Sequence, residues 1–152
     1  MRVLSFDPSG NHPTEGEGSG TTGMAKEVDG VITLHEIKAS DFETTEEYWA
    51  YIRNGIEKIF PDYVVVEGYR LYNHKGQGAE KQANSTLQTS QLIGVIRMVC
   101  HDYKIPLTIQ FASDVKTRWS EKVLQHTEFL DEKNRFNGKQ TNAHKRDALK
   151  HL

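Results

Sequence analysis

The chain has almost no cysteine and no long hydrophobic run. Cys100 is the only cysteine in 152 residues, so an intrachain disulfide is excluded and a reducing, cytoplasmic environment is expected. The most apolar stretch, LIGVIRMVC at residues 92–100, is short and contains Arg97, which argues against a membrane span. The N-terminus enters a strand-like run without the charged and apolar regions of a signal peptide. We therefore expect one soluble domain over residues 1–152, with no membrane partner.

Basic residues are scarce in the first part of the chain and concentrated in the second. Residues 1–62 carry five Lys and Arg against twelve Asp and Glu, whereas residues 63–152 carry fourteen against nine. The net charge of −2 argues against a nucleic-acid partner for the chain as a whole, but this asymmetry permits a local phosphate-binding face. On charge alone, a solvated helix end is the simpler explanation of the basic C-terminal part.

The first half of the chain predicts strands around one helix. An apolar strand near the N-terminus is followed by a flexible loop rich in Gly, Thr and Ser. A hairpin is then expected around Asp29-Gly30, because Asp-Gly between two strand-like runs is a strong turn signal. A helix capped by Thr44 or Thr45 precedes the β-branched strand YVVVE at residues 63–67.

The second half of the chain alternates between predicted helices and one further strand. A helix over residues 86–103 is followed by a strand within IPLTIQF and by a helix over residues 114–126. A polar loop at residues 131–140 leads to a last short helix, capped by Thr141 or Asn142. A meander followed by alternating units implies an α/β protein, a mixed sheet with helices on its faces.

Two of the predicted strands end on carboxylates. Asp7 precedes the turn formers Pro8-Ser9-Gly10, and Glu67 precedes Gly68. Sites in open α/β sheets form at the carboxyl ends of strands, and two carboxylates side by side repel unless one is protonated or a cation lies between them. Each residue alone has an ordinary explanation, a turn or the end of a strand. The pair makes a metal site about as plausible as those explanations.

The last predicted helix adds a histidine and a third carboxylate. His144 and Asp147 lie three residues apart and therefore share a helix face. Taken alone, an exposed pair on a basic helix is the simpler interpretation, but a helix returning over the sheet could bring this face to the strand ends. With Asp7 and Glu67 it would form an oxygen-rich cluster suited to Mg²⁺ or Mn²⁺. A zinc site is not expected, because the other histidines are scattered along the chain.

Four short motifs, in this order, resemble those of the RuvC family of Holliday-junction resolvases. They are LSFDPSG, a glycine that opens the predicted hairpin, YVVVEGYRLY and HKRDAL, and together they span nearly the whole chain. The resemblance implies a ribonuclease H-like fold, a mixed five-stranded sheet flanked by helices, in a single nuclease domain over residues 1–152. The residues that match the site positions of the family are Asp7, Glu67, His144 and Asp147.

The chain also departs from the cellular members of that family. The loop at residues 11–22 is longer and richer in glycine, and the chain ends five residues after Asp147. Both features suggest a divergent, phage-type branch acting in the cytoplasm of a bacterium or of a phage-infected host. They put strict specificity for four-way junctions in question.

The resemblance implies a Mg²⁺-dependent endodeoxyribonuclease that cuts Holliday junctions and related branched DNA. Asp7, Glu67 and Asp147 would hold two ions per site, with Mn²⁺ able to substitute and with His144 as a ligand or proton-transfer group. The products would carry 5′-phosphate and 3′-hydroxyl ends, and no small-molecule cofactor is expected. A homodimer is also implied. The predicted helix around Ile93 is apolar on more than one side, as a dimer contact requires, although a buried core helix would have the same pattern.

Basic and aromatic residues beside these motifs are the candidate DNA contacts. Basic side chains neutralise phosphates, and an aromatic ring can stack on a base at a branch point. Solubility and core packing are their ordinary alternative roles, and the sequence favours a DNA contact for Tyr69. The candidates are Tyr69, Arg70, Tyr72, Lys116, Arg118, Lys139, Lys145 and Arg146.

Two other interpretations remain open at this point. DPSG also resembles the first phosphate motif of actin-like ATPases and sugar kinases, which share the underlying fold but need two such domains and a second phosphate loop. The other interpretation is an inactive or RNA-directed relative, for instance a YqgF-like nuclease. The presence of all four site residues argues against lost catalysis, but it does not distinguish DNA from RNA.

Overall fold

The computed structural model of this protein describes residues 1–15, 18–69, 78–116 and 118–152. In this part of the chain, five strands form one mixed sheet with helices on both faces, and two further strands form a small hairpin. The strands are β1 (Arg2–Asp7), β2 (Thr21–Val28), β3 (Val31–Lys38), β4 (Tyr63–Gly68), β5 (Leu107–Phe111), β6 (Arg135–Phe136) and β7 (Lys139–Gln140). The helices are α1 (Thr45–Ile59), α2 (Gly78–Asp102), α3 (Ala112–Lys116), α4 (Glu121–His126) and α5 (Ala143–His151).

The sheet has the strand order β3-β2-β1-β4-β5. β1 lies at its centre, antiparallel to β2 and parallel to β4, and β5 is parallel to β4. The β2–β3 hairpin turns at Asp29 and Gly30, whose φ angles of 50° and 82° are both positive. A type I′ turn requires such angles and matches the twist of the flanking strands. The predicted hairpin is therefore confirmed.

The two faces of β1 pack against different helices because side chains alternate along a strand. Leu4 and Phe6 are fully buried in the main hydrophobic core. Ser5 points to the other face, where its hydroxyl donates a hydrogen bond to the carbonyl of Ala148 on α5. The core on the first face is completed by residues that recur at helical spacing, which are Tyr48, Ile52 and Ile56 of α1 and Leu92, Ile93, Ile96 and Val99 of α2.

The helix caps follow the sequence closely. The hydroxyl of Thr44 accepts a hydrogen bond from the amide of Glu47 at 3.1 Å, so Thr44 is the cap of α1. Asn142 caps α5 in the same way, through the amide of Lys145 at 2.9 Å. Each bond satisfies one of the free amides of a helix N-terminus.

None of the described helices is long and apolar enough to span a membrane.

Three predicted elements differ in extent or type. α2 begins at Gly78 rather than near residue 86. The helix predicted over residues 114–126 is two helices, because Ser120 is extended and its hydroxyl caps α4. The predicted polar loop contains the β6–β7 hairpin, which turns at Asn137 and Gly138 with φ angles of 48° and 75°. Asn-Gly is a strong hairpin signal, so this turn could have been predicted.

Candidate metal centre

Asp7 and Glu67 stand side by side at the carboxyl ends of two neighbouring strands. β1 and β4 run parallel, and Phe6 is in register with Val66. Asp7 directly follows Phe6 in β1, and Glu67 directly follows Val66 in β4. Because parallel strands end at the same edge of a sheet, the two side chains lie together at the centre of that edge.

α5 brings a third carboxylate to the same edge by lying directly on β2. Gly23 of β2 is in register with Asp7. A Cβ atom on Gly23 would lie only 2.0 Å from the carbonyl oxygen of His144, so the backbones of strand and helix are in direct contact at this point. The helix then carries Asp147 toward Glu67. Carboxylate oxygens of Asp7, Glu67 and Asp147 all lie within 4.8 Å of one another.

This acidic cluster is largely shielded from solvent. The side chains of Asp7 and Glu67 are each 17% exposed. Burial raises the pKa of Asp7, and the charges of Glu67 and Asp147 also raise it, against the opposing effect of the hydrogen bond to His144. The same hydrogen bond is the main cause of the raised pKa of His144. Three carboxylates at this separation repel each other unless positive charge lies among them.

α5 supplies one hydrogen-bonding partner to each of the three acids. Nδ1 of His144 lies 2.9 Å from Oδ2 of Asp7. The ammonium of Lys150 donates to Oδ1 of Asp147 at 2.7 Å. Nε2 of His151 lies 3.0 Å from Oε2 of Glu67. A single helix therefore organises the whole cluster.

Two of these partners, Lys150 and His151, were missed by the sequence analysis. His144, Asp147 and His151 are spaced by three and then four residues, which places all three on one helix face. This spacing was visible in the sequence. What the sequence could not show is that the face extends as far as Glu67, because that depends on how α5 crosses the sheet.

The residues of the cluster fit a hard divalent cation. They offer three carboxylates whose ligand oxygens lie close enough to share one ion, and oxygen ligands of this kind are those that Mg²⁺ and Mn²⁺ prefer. The pKa of Asp7 is raised mainly by burial, and the negative charges of Glu67 and Asp147 add to this effect. A cation among the three acids would remove that repulsion.

The segment after Asp7 is held by hydrogen bonds from two helices. The hydroxyl of Tyr48 donates to the carbonyl of Ser9 at 2.7 Å, and the indole of Trp49 donates to the carbonyl of Gly10 at 3.1 Å. The amide of Gly10 donates to the hydroxyl of Thr89 at 3.1 Å. These bonds fix the backbone that follows Asp7, just before the loop predicted as flexible.

The candidate DNA contacts have different surroundings. Tyr69 is partly buried and packs against the main core. Arg118 is exposed, with its guanidinium 5.8 Å from the centre of the Trp119 ring. Arg146 is held by Glu121, whose carboxylate accepts from its Nε at 2.9 Å.

The remaining candidates fall into two groups. Lys139 and Lys145 line an open cleft of about 210 Å³ between β3, the β6–β7 hairpin and α5. Arg70 and Tyr72 lie outside the described residues, and the side chain of Lys116 does as well.

Comparison with known proteins identifies the fold. The sequence matches no protein-family model, and it matches no curated protein. A solved structure described as RuvC from Thermus thermophilus in complex with Holliday junction substrate has a TM-score of 0.65 and 15% identity, covering 99% of this chain and 89% of that one. A second RuvC structure from the same organism has a TM-score of 0.59 and 16% identity, covering 99% and 90%. The chain has a RuvC-like, ribonuclease H-type fold, as the sequence predicted.

Proposed function

We propose that this protein is a divalent-metal-dependent endonuclease that cuts branched DNA by phosphodiester hydrolysis. The observation that carries the proposal is the convergence of Asp7, Glu67 and Asp147 at one edge of a RuvC-like sheet. The similar solved protein is described as a complex with Holliday junction substrate, which supports a four-way junction as the first substrate to test.

The three carboxylates would hold the metal, and the flanking histidine would handle a proton. Bound Mg²⁺, with Mn²⁺ as a substitute and two ions per site, would supply an activated water and charge neutralisation at the phosphate. The Asp7 carboxylate holds the His144 ring through Nδ1, which orients the ring. The side chain of His144 is 43% exposed, and we propose that its Nε2 exchanges a proton with the substrate.

Basic side chains on the surface of the described residues are proposed to bind the DNA backbone. Lys139, Lys145 and Arg118 are at least partly exposed, and contacts of this kind supply most of the affinity for DNA. Arg146 is held by Glu121, so its contribution is expected to be smaller. The same role is proposed for Lys116 and Arg70, and base stacking for Tyr69 and Tyr72.

A homodimer is proposed because junction cleavage needs two sites acting on two strands. The exposed rings of Phe60 and Tyr103, whose centroids lie 6.0 Å apart, support a contact through the surface that they form. Sedimentation equilibrium of the chain at micromolar concentration is expected to give twice the monomer mass of 17.3 kDa. A monomer both free and bound to a four-way junction would contradict the dimer.

The nuclease proposal is tested with a panel of substrates of matched sequence. Four-way, three-way, flap and linear DNA, together with a four-way RNA, are incubated with the protein in Mg²⁺, Mn²⁺ or EDTA. We expect metal-dependent cutting of branched DNA, with 5′-phosphate ends that a ligase can rejoin. Equal cutting of the linear duplex would overturn the branch specificity alone. No cutting of any substrate in either metal would overturn the proposed function.

A further inference from the structure

His151 is a buried histidine that joins three elements of the fold at the acidic cluster. It is the last residue of α5, and its side chain is only 1% exposed. Its Nε2 lies 3.0 Å from Oε2 of Glu67, and its Nδ1 lies 3.1 Å from Oε1 of Gln110. Glu67 and Gln110 are direct neighbours in register on β4 and β5. The ring therefore bridges two adjacent strands from above.

The chemistry of the two partners determines which atom of the ring carries hydrogen. An ionised carboxylate can only accept hydrogen bonds, so Nε2 must donate to Glu67. The side-chain amide of Gln110 can present either its oxygen or its nitrogen to Nδ1. Both orientations are compatible with an Nε2–H directed at Glu67. The bond to Glu67 is therefore independent of the orientation of Gln110.

We propose that His151 is a positioning residue that holds the Glu67 carboxylate in its metal-binding orientation. A glutamate side chain has three rotatable bonds, and a hydrogen bond to one carboxylate oxygen limits the rotation of the group. Burial of the His151 ring and its bond to Gln110 fix the donor itself. Partners of this kind are worth about 10- to 100-fold in metal affinity or activity. This inference rests on the proposed function, because it assumes that Glu67 binds a metal.

A matched pair of substitutions distinguishes positioning from simple core filling. His151→Gln carries an amide nitrogen at about the distance of Nε2 from the backbone, so it can still donate to Glu67. His151→Asn is shorter and retains only the contact at the position of Nδ1. If His151 only fills space and satisfies buried polar groups, both changes lower stability without separating their effects on metal binding. If it positions Glu67, the asparagine variant alone loses metal affinity.

The experiment measures Mn²⁺ binding to the full chain without DNA, by isothermal titration calorimetry, together with thermal melting of each variant. We expect the dissociation constant to rise about 10- to 100-fold in His151→Asn and to stay within about threefold of wild type in His151→Gln. In cleavage of a four-way junction, the Mg²⁺ concentration for half-maximal rate should rise in parallel, and the rate at saturating Mg²⁺ should fall less. Gln110→Leu removes the second partner of the ring and serves as an independent variant, with a smaller rise expected.

The outcomes separate this inference from the proposed function. A wild-type protein that binds Mn²⁺ and cuts DNA, with unchanged dissociation constants in His151→Asn and Gln110→Leu, overturns the role of His151 and leaves the nuclease intact. If His151→Asn does not fold, the Gln110→Leu titration decides the matter in the same way. A wild-type protein that binds no Mn²⁺ and cuts none of the substrates overturns the proposed function itself.

Discussion

Asp7→Asn is expected to lower the single-turnover rate of branched-DNA cleavage by about a thousandfold in saturating Mg²⁺. The substitution keeps the shape of the side chain but removes one of the three carboxylates proposed to hold the metal, and stabilisation of this kind contributes several kcal/mol to the transition state. Binding of DNA in EDTA should be retained or strengthened, because less negative charge faces the phosphates. Glu67→Gln and Asp147→Asn should behave alike.

The loss of cleavage in Asp7→Asn should not be accompanied by unfolding. The pKa of Asp7 is raised in the folded chain. Ionised Asp7 therefore lowers the free energy of unfolding at neutral pH, and this loss disappears when the group is protonated at lower pH. A neutral asparagine removes this cost and can still accept a hydrogen bond from His144. The melting temperature in EDTA is therefore expected to equal or exceed that of the wild type.

Asp29→Asn is the matched control, because it changes the formal charge by the same amount at a distant place. Asp29 lies in the β2–β3 turn, where it pairs with the N-terminus of Met1, about 20 Å from Asp7 along β1. We expect wild-type cleavage from this variant. Full activity of Asp7→Asn in Mg²⁺ would refute the metal site.

The sequence predicts the three acids because each carries a local signal. Asp7 and Glu67 follow β-branched or apolar runs that are buried in the sheet, and an acid directly after such a run lies at the strand end. The three-residue spacing of His144 and Asp147 is enough to predict that they share one face of α5. These signals depend on short stretches of sequence and on the rule that parallel strands end at the same edge, which is why the pair of Asp7 and Glu67 could be predicted without coordinates. The placement of Asp147 beside them was expected from the resemblance to the RuvC family, since spacing alone does not show where α5 crosses the sheet.

The partners of the acids depend on long-range packing, and the sequence therefore does not reveal them. The contact of His151 with Glu67 depends on two long-range features of the fold. Gln110 lies next to Glu67 in the sheet and also binds the His151 ring, and α5 packs against β2 at Gly23. Lys150 is close to Asp147 on the same helix, but a lysine three residues from an aspartate is usually an exposed pair of little consequence. In the structure its side chain is only 8% exposed, which no local pattern indicates.

Hydrogen bonds from α5 stabilise the acidic cluster. Each carboxylate has a hydrogen-bond donor from this helix, from His144, Lys150 or His151. Such donors lower the cost of bringing three acids together. The helix therefore brings one of the three carboxylates to the cluster and also makes the cluster compatible with folding. The geometry of the cluster therefore depends on the position of α5 on the sheet.

Gly23→Ala is expected to reduce branched-DNA cleavage by about a hundredfold and to destabilise the fold by about 1–3 kcal/mol. The added Cβ would lie 2.0 Å from the carbonyl oxygen of His144 and 2.4 Å from its carbonyl carbon. Both are backbone atoms, so no side chain can swing away, and α5 and β2 must separate by about 1 Å to restore a normal contact. Displacements of this size at a reacting centre cost about two orders of magnitude in rate.

Gly55→Ala provides the control for the loss of a glycine. Gly55 lies within α1, and a Cβ there would meet nothing within 4 Å beyond the neighbouring backbone of its own helix. Alanine in a helix interior is favoured over glycine by about 1 kcal/mol, so this variant should be as stable as the wild type or more so, with unchanged cleavage. Urea unfolding, Mn²⁺ titration and single-turnover rates of both variants test the prediction. Wild-type stability and activity in Gly23→Ala would show that α5 does not lie against β2 at this residue, and that the three acids are brought together in some other way.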